Sequence, residues 1–173
     1  MITTTNHHTR SRYASRHGLT IIESVLATVI LGISIVAGLK ASAVAAATNR
    51  AAAQRIIASQ LAADLIQTIT TRPYKQAGTS TIGKDGTAET NPGNFNDVDD
   101  YNGWTETPPK DYTHGKQLTG LAGWTRSVVV IWIEPSDLNL ASTTDKGLKR
   151  IHVSVTYQGR VMASAIGFAG GTP

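Results

Sequence analysis

The 173-residue chain contains no cysteine, so neither a disulfide framework nor a thiolate metal site can form within it. Charge is scarce and unevenly placed. Arg10, Arg12 and Arg16 fall in the first eighteen residues, which hold no acid. Sixteen basic residues less these three leave 13, against 12 acidic ones, too even a balance for a polyanion-binding surface. No nucleic-acid partner is therefore expected. Proline is missing between Leu19 and Arg72, which leaves a helix free to run through that span. There is no Gly-x-Ser-x-Gly elbow, no phosphate-binding loop and no His-Glu-x-x-His. These absences count against an enzyme, and no cofactor is expected.

What is present begins with an apolar run from Leu19 to Leu39, long enough to cross a bilayer as a helix at ~1.5 Å per residue. The basic stretch before it places residues 1–18 in the cytoplasm, with the C-terminal bulk on the other side. Residues 2–17 are polar and aperiodic and read as a leader. One charge interrupts the apolar run, Glu23. An ionised carboxylate in hydrocarbon costs on the order of a few kcal/mol, so Glu23 is expected to be functional and to have a cationic partner.

Beyond Leu39 the chain turns alanine-rich and amphipathic. Ile57, Leu61, Leu65 and Ile69 recur every four residues, while Arg50, Arg55, Gln60, Asp64 and Gln67 are polar. Pro73 is the first strong stop signal. The simplest reading is one helix of about fifty residues, its membrane half 19–39 and its amphipathic half 40–72. Gly32 and Gly38 weaken the apolar half.

Residues 73–173 form the expected head. Segment 74–117 is rich in Gly, Thr, Asn, Asp and Pro and reads as a long loop whose apolar anchors are Ile82, Phe95, Val98, Tyr101 and Trp104. Strands are expected near 124–133, 148–157 and 160–168, the last two joined by a tight turn at Gln158-Gly159. In the second, Ile151, Val153, Val155 and Tyr157 share one face, and His152, Ser154 and Thr156 the other. The fold class is thus α+β, a long N-terminal helix packed on a small antiparallel sheet of about three strands.

At Gly18-Leu19-Thr20-Ile21-Ile22-Glu23 the chain resembles the processing site of type IV pilins and of the pseudopilins of type II secretion. That pattern is a basic leader ending in glycine, then an apolar residue, with glutamate fifth in the mature chain. The resemblance implies a pilin-like fold, cleavage after Gly18 by a prepilin peptidase, and methylation of the new Leu19 amine. It also implies pairing of Glu23 with the N-terminal ammonium of a neighbouring subunit. Other pilin or pseudopilin subunits and an inner-membrane assembly platform would be the further partners. The family usually carries phenylalanine where this chain has Leu19, and many major pilins have a C-terminal cysteine pair that is missing here. Phe95 to Trp104, Trp124-Thr125-Arg126 and Leu148-Lys149-Arg150-Ile151 are similar to segments of minor pilins of the mannose-sensitive haemagglutinin pilus. The implied function is a minor pilin or, alternatively, a minor pseudopilin. Such a chain sits as a single-pass protein in the inner membrane and then in a periplasmic or extracellular filament.

Two readings from other classes compete. A signal anchor displaying a receptor or adhesin domain would keep its leader and tolerate loss of Glu23. An exported enzyme would be cut after Ala41-Ser42-Ala43, although the apolar run exceeds the roughly 7–15 residues of a signal-peptide core. In the head, Asp97, Asp99, Asp100 and Trp104 are candidate partner contacts. The three aspartates could take calcium, but their spacing departs from the Asp-x-Asp/Asn-x-Asp/Asn-Gly loop, and a turn whose side chains bond nearby backbone is favoured. No metal set is expected. His114 and His152 are isolated from other histidines and read as surface residues.

Overall fold

A computed structural model describes residues 20–111 and 116–172. The chain divides into two compact units between Ala47 and Thr48, and one helix, α1 (Ile21–Thr70), contributes to both.

In the first unit every residue from Ile21 to Ala47 is helical and exposed. Hydroxyls that would otherwise interrupt its apolar surface turn back onto the helix. Thr28 Oγ1 donates to the Val25 carbonyl at 2.8 Å and Ser34 Oγ to that of Ile30 at 2.8 Å. Each thereby carries its own hydrogen bond, as a polar group in an apolar medium must.

In the second unit α1 buries Ala58, Leu61, Ala62, Leu65 and Ile69. This corrects the expected stripe at one point, because Ile57 is 37% exposed. A strict four-residue repeat outruns the helical period, so Ile57 sits about 120° around the helix from Ile69, whereas Ala58 is only about 20° off. The helix ends two residues before the expected Arg72. Thr71 Oγ1 donates to the Thr68 carbonyl at 2.8 Å and the Arg72 N–H to that of Ile69 at 3.0 Å, satisfying carbonyls left over in the last turn.

The head sheet has five strands rather than about three. The expected three are present as β4 (Trp124–Glu134), β6 (Leu148–Tyr157) and β7 (Arg160–Gly170). The order β1-β4-β6-β7 adds the short β1 (Thr105–Glu106), and β5 (Asp137–Ala141) pairs with β4, all antiparallel. Strands β2 (Lys110–Asp111) and β3 (Lys116–Gln117) form a separate pair. Gln158 and Gly159 both adopt positive φ, 49° and 79°, the geometry that a two-residue hairpin of matching twist requires.

Helix and sheet meet closely because β7 is lined with small residues. Ala163, Ala165 and Ala169 pack against the core, and Gly167 lies in phase with them. A Cβ added at Gly167 would come within 2.8 Å of Ile66 Cγ2. The described part of loop 74–117 sends several residues into the interior. Phe95, Val98, Tyr101 and Trp104 are buried, with the Phe95 and Tyr101 rings edge to face at 4.8 Å. The Asn102 side chain accepts the Val130 N–H at 3.0 Å, and the Trp104 carbonyl accepts that of Val128 at 3.0 Å, which ties the loop to β4.

Candidate assembly helix and the acidic loop

Gly18 and Leu19, the expected processing residues, lie outside the described residues. Thr20 and Glu23 are described, and they open α1 together. The Glu23 N–H donates to Thr20 Oγ1 at 3.3 Å, and the Thr20 carbonyl accepts the Ser24 N–H at 3.1 Å. Thr20-Ile21-Ile22-Glu23 therefore reads as a helix-start pattern, Thr at the cap and Glu three residues later. Sequence reasoning directed at the membrane passed over this signal. The Glu23 carboxylate also lies where the positive end of the helix dipole favours it. Among the described residues no Lys, Arg or His forms an ion pair with it.

After Glu23 the surface carries no charge until Lys40 and is mainly apolar. Val25, Leu26, Val29, Ile30, Leu31, Ile33, Val36 and Leu39 are all more than half exposed. Among the described residues this is one helix long and apolar enough to cross a membrane. An exposed apolar surface of this extent needs lipid or other protein around it.

The four candidate contacts in the head lie inside it. Asp97, Asp99, Asp100 and Trp104 are 1%, 4%, 0% and 7% exposed, so the expectation that placed them at a docking loop is corrected. Asp97 organises the turn as the favoured alternative anticipated. Its Oδ1 accepts the N–H groups of Asp99 at 2.7 Å and Asp100 at 3.3 Å, and its Oδ2 that of Gln76 at 2.6 Å. Asp99 instead reaches Lys149 Nζ at 2.7 Å. That ammonium is fully buried, donates also to the Tyr74 carbonyl at 2.6 Å and stands 3.7 Å from the centre of the Tyr74 ring. Burial still raises the Asp99 carboxyl above its ordinary value, against the lowering by Lys149.

A second buried pair, Arg126 with Glu106 at 2.6 Å, sits beside Trp104, whose ring centre is 5.8 Å from the guanidinium carbon. Neither pair was anticipated, yet strand parity carries the signal. Lys149 is in phase with Ile151, Val153 and Val155, and Arg126 with Trp124, Val128 and Val130. His152 lies half-buried on the opposite face, between Val129 and Ile166 across the strands. His114 is outside the described residues.

Asp100 meets two acids that the sequence reading did not connect with it, Asp85 and Glu89. One carboxylate oxygen from each of the three lies within 4.8 Å of the others. Burial, with Asp97 and Glu89 close by, pushes the Asp100 carboxyl up to about 6. The N–H groups of Gly86 and Asp85 hold Glu89 below its ordinary value.

No family model, no curated protein and no solved structure matches the chain. The long apolar helix and antiparallel sheet are compatible with a pilin-like fold.

Proposed function

We propose that the chain is a structural subunit of a type IV pilus, a minor pilin made as a precursor and cut after Gly18 by a prepilin peptidase. The observation that carries this reading is the placement of Glu23, an acid in the first turn of a helix whose following residues are apolar and exposed. Cleavage before Leu19 creates a new ammonium four residues ahead of that acid. In the filament the Glu23 carboxylate of one subunit takes the Leu19 ammonium of its neighbour. The opposite charge offsets the cost of holding each ion away from water.

Before assembly the apolar half of α1 anchors the protein in the inner membrane, and lateral packing of such helices then replaces lipid with protein. The head performs no chemistry of its own. Its partners are the peptidase, other pilin subunits and an inner-membrane platform.

Mass analysis of the mature N-terminus tests the reading. The expected first residue is Leu19 bearing a methyl group on its amine. An intact leader would favour a signal anchor, and a start near Val44 an exported protein; either result overturns the proposal.

A further inference from the structure

We propose that the loop between α1 and β1 binds one hard divalent cation, of the calcium type, through the carboxylates of Asp85, Glu89 and Asp100. The proposal is independent of the filament role. Its first ground is distance. Two oxygens each about 2.4 Å from a common calcium ion lie at most about 4.8 Å apart, and the three carboxylates meet that bound.

The second ground is an acceptor with nothing to accept. Asp100 is wholly buried, and its Oδ1 has no hydrogen-bond partner. Its Oδ2 is already engaged, by the N–H groups of Asn96 at 2.8 Å and Asp97 at 3.3 Å. A buried carboxylate oxygen left without a donor is costly, and the neighbouring groups are two further acids. Among the described residues no Lys, Arg or His pairs with any of the three. The adjacent Lys84 places its ammonium 5.2 Å from the centre of the Phe95 ring. A cation supplies what the protein does not.

The surrounding contacts aim these ligands. Glu89 Oε2 accepts from the backbone of Asp85 at 2.9 Å and of Gly86 at 2.7 Å, and its Oε1 from Asn96 Nδ2 at 2.9 Å. Such outer contacts fix a ligating carboxylate without occupying all its lone pairs. Gly86 allows the close approach, since a Cβ there would stand 3.0 Å from Glu89 Oε1. Asp85 is exposed, which leaves one side open for water to complete the six to eight oxygens that calcium takes. An all-oxygen set lacking imidazole and thiolate suits calcium better than zinc or copper.

The test uses the full chain in detergent micelles after chelator treatment. Calorimetric titration with calcium chloride is expected to give one equivalent bound, with a rise in the melting temperature. Terbium luminescence excited through Tyr101 and Trp104 is expected to appear and to be quenched by competing calcium. Asp85→Asn, at an exposed position, is expected to fold normally and lose affinity on the order of tenfold or more, and Asp100→Asn to lose more still. Absence of both heat and melting shift at millimolar calcium in folded protein would overturn the proposal. So would wild-type affinity in both variants, which would put the bound calcium elsewhere.

Discussion

Lys149 is a charge buried in the head, and Glu23 one that the proposed membrane span would hold away from water; the two are resolved in different ways. Lys149 has its partners within the head, Asp99 and the Tyr74 carbonyl. Removing one member of a buried pair leaves the other uncompensated, so Lys149→Met is expected to destabilise the head by about 3–5 kcal/mol. Adding Asp99→Asn to that variant is expected to restore part of the loss in denaturant unfolding, since it removes the stranded charge. For Glu23 the proposed partner lies in another subunit. Glu23→Ala is expected to stay in the membrane fraction but to be depleted from sheared filaments, and equal recovery with wild type would refute the ion-pair role. Glu23 stands out in sequence because nothing around it is charged. Lys149 could be found only by following strand parity, because Lys and Arg usually lie at the surface and chemistry alone argues against burial.

At the scale of elements, the three long strands and the Gln158-Gly159 turn were legible because apolar alternation and turn chemistry are local properties. Strand β5 and the two-residue strands were not. Strand β1 pairs with residues of β4 well along the chain, β5 is exposed throughout and so has no buried face to set an alternation, and two-residue strands carry almost no period. The inward turn of loop 74–117 was hidden similarly. Its aromatic anchors are spaced by loop geometry, while its polar residues serve the interior by bonding backbone groups. The contact between α1 and β7 gives a direct test. Gly167→Val drives a branched side chain into Ile66 and is expected to cost about 1–3 kcal/mol by overpacking, measured by chemical denaturation. If that overlap is the cause, Ile66→Ala added to Gly167→Val should cost less than the two separate losses combined.

For the whole molecule, the division between Ala47 and Thr48 separates a surface that needs a surrounding from one that has its own core. The second unit buries helix residues Leu61, Leu65 and Ile69 with the sheet residues Val128, Val130, Ile151, Val153 and Val155. A chain beginning at Thr48 is therefore expected to be soluble and monomeric without detergent, with a cooperative melt, as judged by gel filtration and circular dichroism. Aggregation in detergent-free buffer would show that the head depends on the first unit.

The Thr20 cap bears on how a precursor could be shortened. The bonds that start α1 run from Ser24 and Glu23 back to Thr20. If the cut falls after Gly18, Thr20 becomes the second residue of the new chain and keeps every one of those bonds. The described contacts that start α1 then lie wholly within the shortened chain.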